Sequence, residues 1–392
     1  MNTKFELDLT FIPKELKVLL ELIQDKNDEY IQENKDEWFT DIDWDYFLKL
    51  AMHHRIYPLV YLKLKEVGSD LIPSQVLQTL QAHYQKNTFQ MLHLSGEMER
   101  ISELFTKNKV CSLFLKGPVV AYDLYGDISL RTSKDLDILI QKSDIEKAEE
   151  LLLKQGYTNI QETTTQNDKK GRNYHIAYFH PYKKIEIELH WRLHPYPINQ
   201  PTFKELWERK RNSNFTSYPV LFLGREDLLL YLSVHGARHG WFRLRWLKDI
   251  DQMLKQQFNY QKVNSLQKKY QYSHMIGQTL ILVNYLLNTK AHKEIKLLSR
   301  RRSKKLAQLA LLYIRKRTHS HINEFKNLNN YHTRYLFLLM PTSRKILFIL
   351  TLFYPSSKDE QTLPLPSYLH FLYFPLRPFL WIWRKTVKLI QL

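Results

Sequence analysis

Cysteine is nearly absent from the 392 residues: Cys111 stands alone, so neither a disulfide framework nor a four-cysteine zinc ribbon can be built. It lies in the apolar run Val110-Cys111-Ser112-Leu113-Phe114-Leu115, where it reads as a small buried hydrophobe. Glycine is also scarce, at 10 residues, which limits glycine-built turns and favours helix over extensive sheet. No glycine run of the phosphate-loop or dinucleotide-binding type occurs, and no Gly-x-Ser-x-Gly elbow presents a serine nucleophile. The N-terminus, MNTKFELDLTF, lacks the basic-then-apolar order of a secretory signal, and a cytoplasmic location is the expectation. No stretch reaches the ~20 apolar residues that a membrane span requires. Ile346 to Tyr354 is too short, and the aromatic tail Tyr368 to Trp383 is interrupted by His370, Pro375, Arg377 and Pro378. That tail suits packing on a core or peripheral contact with a membrane surface.

Acidic residues are the minority charge, 40 against 58 Lys and Arg, for a formal net charge of +18. Such an excess draws nucleoside triphosphates, nucleic acid or anionic surfaces, but says nothing about fold. It is densest at Arg300, Arg301, Arg302, Lys304 and Lys305, with Arg315, Lys316 and Arg317 beyond. This block reads first as a solvated helix face and second as a phosphate- or nucleic-acid-binding patch.

What is plentiful is apolar and aromatic: 20 Phe, 24 Tyr and 8 Trp supply ample material for a core. Residues 1–108 read as helical. Met91, Leu94, Met98, Ile101 and Phe105 make one stripe at helical spacing, and Trp44 to Leu64 is similar until Pro58. His53, His54 and Arg55 inside it read as surface or packing residues. Residues 109–195 change character. Val110 to Leu115 reads as a strand, Pro118 to Tyr125 as a helix and Leu136 to Ile140 as a strand. A helix follows, with a Ser143/Glu146 capping box and Gly156 past its end. Tyr174 to Phe179 and Lys184 to Leu193 read as two more strands. Residues 196–320 return to helices, including Asp227 to Val234, Trp246 to Leu254 and Met275 to Leu287. Residues 321–392 form an aromatic and basic C-terminal region, with a loop from Ser356 to Pro366. The fold class expected is α+β, a small mixed sheet flanked by helical regions on both sides.

Chemistry concentrates in Lys134-Asp135-Leu136-Asp137-Ile138-Leu139-Ile140. Alternate strand residues share a face, so Asp135 and Asp137 point the same way, about 7 Å apart, while Leu136 and Ile138 face a core. Adjacent carboxylates repel unless a counter-charge joins them, and Mg²⁺ (or Mn²⁺), an oxygen-seeking cation, is the natural one. A second strand, Lys184 to Trp191, sets Glu186, Glu188 and His190 on one face and Ile185, Ile187 and Leu189 on the other. Paired beside the first, it offers Glu188 or Glu186 as a third acid. His235 and His239 lie one helical turn apart without the glutamate of the zinc-protease motif, and read as pocket or packing residues. Trp241, Arg243, Arg245 and Trp246 look like a phosphate- or base-contacting surface. Asp249 is placed to pair with Arg245, four residues earlier on a helix.

The runs LKGPVVAYDLYGDISLRTSKDLDILI, KAEELLLKQGY, IEIELHWRL and LLLYLSVHGARHGWFRLRWLKDIDQML together resemble the uncharacterised nucleotidyltransferase family of the polymerase-beta-like superfamily. The resemblance implies transfer of a nucleoside monophosphate from an NTP such as ATP to an acceptor hydroxyl or phosphate. It implies that Asp135 and Asp137 bind the metals, with Glu188 as third acid. Gly117 would bring backbone N–H groups to the triphosphate, and Lys116 and Arg131 would neutralise it. The chain departs from the superfamily at the turn, where Pro118 stands in place of serine or glycine, and Ser133 or Arg131 is expected to substitute. The acceptor stays open between a peptide, a small molecule and RNA. Alternatives are tailoring of a peptide or phosphopeptide, and non-catalytic nucleic-acid binding.

Overall fold

The computed structural model describes residues 6–26, 28–68, 70–160, 174–195, 198–290, 292–295, 300–315, 326–341, 345–346 and 354–390. Lys316, Arg317 and most of the run from Ile346 to Tyr354 lie outside them. The chain divides into two compact units, Met1–Leu339 and Met340–Leu392.

The first unit opens with five helices: α1 (Lys14–Leu22), α2 (Asp28–Phe39), α3 (Trp44–His54), α4 (Tyr57–Val67) and α5 (Ser74–Lys107). The side chain of Asp43 accepts the Tyr46 N–H and so caps α3. The break between α3 and α4 falls at Arg55, which is left-handed at φ 56°, ψ 35°. Pro58 sits in the first turn of α4, where a missing N–H costs little, so it follows the break rather than making it. The long α5 buries the whole stripe Met91, Leu94, Met98, Ile101 and Phe105.

A seven-stranded mixed sheet follows, in the order β3-β4-β5-β2-β1-β7-β6. Its strands are β1 (Ser112–Phe114), β2 (Asp135–Ile140), β3 (Thr158–Asn159), β4 (His175–His180), β5 (Ile185–His190), β6 (Arg211–Ser213) and β7 (Val220–Phe222). Helix α6 (Pro118–Tyr125) and a 3-10 turn (Ile128–Leu130) join β1 to β2, and α7 (Ile145–Lys154) joins β2 to β3. The expected alternation of β2 and β5 holds: Leu136, Ile138, Ile140, Ile185, Ile187 and Leu189 are all fully buried. The fold is α+β, as the sequence indicates.

Several local expectations differ. Cys111 is only half-buried and precedes β1. The Ser143/Glu146 box does not form, because a 3-10 turn (Lys142–Asp144) leads into α7 with no side-chain cap. Gly156 does follow α7, at φ 87°. Strands β6 and β7 lie in a stretch read as helical. At three residues each they are too short for alternation to register.

Then come α8 (Phe203–Glu208), α9 (Arg225–Arg238), α10 (Leu244–Leu254), α11 (Tyr260–Lys269), α12 (Ser273–Leu287), α13 (Arg300–Arg315) and α14 (Lys326–Leu339). Within the basic block, Arg301 and Lys305 are exposed, whereas Arg302 turns back to donate to the Leu338 carbonyl. In the second unit, Ser356 and Asp359 cap a short helix, Ser357–Thr362, inside the segment read as loop. Asp359 also accepts from Arg384 of the helix Tyr373–Ile390, which exposes Phe379, Trp381 and Trp383. No helix among the described residues is long and apolar enough to cross a membrane.

One buried polar knot ties α5 to the sheet. Glu97 accepts from Lys183 Nζ and Tyr157 Oη, each at 2.6 Å, and from Arg100. Burial alone would raise its carboxyl, but hydrogen bonds from Arg100, Lys183 and Tyr157 outweigh burial and hold it at about 2. A depressed carboxyl stabilises the fold above its unfolded value, here 4.5, and loses that contribution as pH falls towards 2. The loss is roughly 3 kcal/mol at most. Denaturant unfolding of wild type and Glu97→Gln across pH 6 to 2.5 checks it: the stability gap between them is expected to close on acidification. A pH-independent gap would show the knot to be weak.

Candidate active site

The polar face of the sheet is assembled by strand register. Parallel pairing of β2 with β5 sets Asp135 opposite Glu186 and Asp137 opposite Glu188. Antiparallel pairing of β4 with β5 sets His175 opposite His190 and Ala177 opposite Glu188. Residues paired across adjacent strands share a face. Four carboxylates and two imidazoles therefore occupy one surface, with an aliphatic core on the other.

His190 draws two of the acids together. Its Nε2 lies 3.1 Å from Asp137 Oδ1 and 3.1 Å from Glu188 Oε2. Asp137 and Glu188 are thus within two hydrogen-bond lengths of each other. Among the described residues, the three whose ligating atoms all fall within 4.8 Å of one another are His175, Glu188 and His190. The sequence pattern placed His190 on this face without indicating that it bridges Asp137 and Glu188. Alternation could show the shared face; the bridge depends on how β5 sits beside β2.

Charge is distributed unequally over the two aspartates. Asp137 is almost wholly buried, and Lys116 Nζ stands 3.1 Å from its Oδ1. Burial pushes its carboxyl up, but Lys116 and His190 hold it below the ordinary range. Asp135 has no such partner among the described residues and is pushed up, by burial first and then by Asp137. Glu186 is raised too, by burial and then by Asp135 and Glu188. Among the described residues, the buried Asp137 Oδ2 has no hydrogen-bond partner. A buried carboxylate oxygen left unmatched beside a second carboxylate suits a cation, so the residues present fit a divalent metal.

The residues expected to contact phosphate are placed as follows. Gly117 is at φ 88°, a conformation that favours glycine, and caps α6. Ser133 Oγ donates to the Asp135 carbonyl at 3.2 Å, closing the entry to β2. Lys116 is engaged by Asp137. Arg131 has a carboxylate partner of its own. Its guanidinium is fully buried and makes a bidentate pair with Asp249, at 3.0 and 3.1 Å. Asp249 also accepts from Tyr125 Oη at 2.9 Å. The expected Asp249–Arg245 pair does not form; Arg245 donates instead to the Thr132 carbonyl at 2.6 Å. A tertiary bidentate fork here displaces the local helical pairing.

Beside the acids lies an aromatic wall from α9 and α10. His235 and His239 have ring centroids 4.7 Å apart, and both contact Trp246, at 5.2 and 5.4 Å. Burial, followed by Lys116, keeps His235 well below its ordinary value; burial and Arg238 hold His239 at about 3. Both are neutral, and among the described residues no third ligating group joins them. Trp241, expected at a contact surface, is completely buried under Gly236. His53 and His54 are packing residues, as expected: His53 Nε2 meets the Phe242 carbonyl at 3.1 Å, and His54 Nδ1 accepts from Leu244 N–H at 3.3 Å. Arg55, however, faces Asp135 closely enough to feel its charge, a position that no local pattern announces.

Two comparisons with known proteins bear on this geometry. A family model, that of an uncharacterised nucleotidyltransferase, matches residues 40–288, more than half of the chain. Comparison with curated proteins gives no match.

Proposed function

The chain belongs to the uncharacterised nucleotidyltransferase family, and from that premise we propose that it transfers a nucleoside monophosphate from an NTP to an acceptor hydroxyl or phosphate, releasing pyrophosphate. The observation that carries this reading is the β2–β5 register, which aligns Asp135 and Asp137 with Glu186 and Glu188 on one polar face. Asp135, Asp137 and Glu188 would hold Mg²⁺ (or Mn²⁺). When bound, the metal supplies charge for the triphosphate and the departing pyrophosphate.

The protein's own residues then divide the work. The acceptor oxygen attacks the α-phosphorus, and the bond from that phosphorus to the bridging oxygen breaks. A hydroxyl acceptor gives its proton to Glu188, whose Oε2 is hydrogen-bonded to His190. His190 holds Glu188 and Asp137 in fixed relation. Lys116 offsets the Asp137 charge and limits repulsion across the face. The His235, His239 and Trp246 wall, with its rings inclined to one another, offers an aromatic surface for a base or an apolar acceptor. Acceptor identity stays open between a peptide, a small molecule and RNA.

The test is incubation with each labelled NTP, Mg²⁺ or Mn²⁺, and pools of peptides, small molecules and RNA, followed by pyrophosphate release and label transfer. Glu188→Gln is expected to lower transfer about 10²-fold or more with a smaller effect on NTP affinity. Full activity in Glu188→Gln would remove it from the chemistry and turn attention to Glu186.

A further inference from the structure

Three arginines have no carboxylate within ion-pairing distance among the described residues: Arg55 at the end of α3 and Arg245 in the first turn of α10, both close enough to Asp135 to feel its charge, and Arg243 in the α9–α10 connection, beside Arg55. Arg245 is more than nine-tenths buried, and its Nε has no hydrogen-bond partner among the described residues. Guanidinium stays charged in proteins, so a buried one without a counter-ion is a standing cost that a bound anion removes. Burial and neighbouring cations depress these groups, Arg245 to about 9 and Arg243 to about 10; Arg55 is among the neighbours responsible for both. They therefore form one cationic cluster.

Its geometry is fixed from two sides. Arg245 grips the Thr132 carbonyl, three residues before Asp135. The neighbouring imidazoles of α3 clamp the chain around residue 243: His53 Nε2 is on the Phe242 carbonyl, His54 Nδ1 on Leu244 N–H, and His53 Nδ1 is 3.5 Å from Arg243. Arg55 itself is left-handed, a conformation that glycine or asparagine takes more cheaply. Strain retained at a charged residue facing a polar site is a mark of use. The cations that the family resemblance sets against the triphosphate are already engaged, Lys116 by Asp137 and Arg131 by Asp249, whereas Arg243 and Arg245, which the sequence places on a phosphate- or base-contacting surface, are not ion-paired among the described residues.

We propose that Arg55, Arg243 and Arg245 form a phosphate-binding subsite that holds a phosphoryl group of a substrate beside Asp135. The planar fork of arginine matches phosphate oxygens two at a time. The subsite deepens the transfer reading and rests on it for the identity of the ligand. The group belongs either to the triphosphate of the donor or to a phosphorylated acceptor.

The experiment measures binding to the full chain by titration calorimetry in EDTA, without turnover, using inorganic tripolyphosphate, ATP, adenosine and inorganic phosphate. Arg243→Gln and Arg55→Gln, both at half-buried positions, are expected to weaken tripolyphosphate at least tenfold and leave adenosine unchanged. Arg245→Lys keeps the charge without the fork and is expected to weaken it as well. An equal loss for ATP assigns the subsite to the donor; a loss for tripolyphosphate and inorganic phosphate with ATP unchanged assigns it to the acceptor. Arg55→Gly separates binding from packing: Tm is expected to hold or rise while anion affinity falls. Folded variants that bind every anion as wild type does overturn the subsite and leave the transfer reading intact. Wild type that binds tripolyphosphate but transfers no label overturns the transfer reading alone.

Discussion

Asp135→Asn is expected to reduce label transfer about a thousandfold, on the order of 4 kcal/mol of lost transition-state stabilisation, while leaving the metal-free protein as stable as wild type or more so. Asp137→Asn is expected to lose both activity and stability. The asymmetry follows from their surroundings. Asp135 is raised by burial and by Asp137, so the folded state disfavours its charge. A raised carboxyl costs stability once pH exceeds its unfolded value of 3.8, and the cost is complete above its folded value. Neutralising it at pH 7 removes that cost. Asp137 is lowered, so its charge stabilises the fold at every pH above 3.8. Removing it strips Lys116 and His190 of their shared partner and leaves a poorly hydrated ammonium, at a cost of about 3 kcal/mol. Urea unfolding in EDTA, paired with a transfer assay in Mg²⁺, reads both quantities. Two variants equally destabilised would show that the charge imbalance is absent; retained turnover in both would dismiss the aspartates as metal ligands.

How much of this was legible beforehand depends on the range of the interaction. The faces of β2 and β5 could be read from a period of two, and the buried stripe of α5 from a period of three to four. Their pairing was an expectation that the parallel register fulfils. The helix α10 was found, but its best local rule, Arg245 with Asp249, was overridden. Arg131 comes from 118 residues away and brings two aligned N–H groups to a fully buried carboxylate. Arg55 reads from sequence only as a surface or packing residue, because nothing in its own segment refers to Asp135. The two neighbouring histidines that clamp α3 to residues 242–244 bridge about 190 positions of sequence. Strands β6 and β7 escape the sequence pattern for a different reason, since three residues held in place by their neighbouring strands carry no period at all. Local patterns therefore located the acids, whereas the cations around them were sorted by tertiary contacts.

The buried fork between Arg131 and Asp249 supplies the largest expected stability effect. Asp249→Asn is expected to cost about 3–5 kcal/mol, because it leaves Arg131 charged, buried and unpaired. The site aggravates the loss: Arg55 and Arg245 already stand near Arg131 without ion-paired carboxylates of their own among the described residues. Tyr125→Phe removes only the hydroxyl that donates to Asp249, and is expected to cost about 1 kcal/mol. Replacing both members of the pair, as in Arg131→Met with Asp249→Leu, is expected to recover part of the loss, since no orphaned charge remains. The cluster adds a further consequence. A ligand that binds the folded state alone stabilises it in proportion to its affinity. Tripolyphosphate is therefore expected to raise the Tm of Asp249→Asn more than that of wild type, because the variant offers it one more unpaired guanidinium. Thermal unfolding across a tripolyphosphate series measures this directly. If Asp249→Asn unfolds at the wild-type temperature, Arg131 has found solvent and the fork is not a structural necessity. If it is destabilised but gains no more from the anion than wild type, Arg131 points away from the cluster, and its charge is confined to holding α6 and the start of β2 against α10.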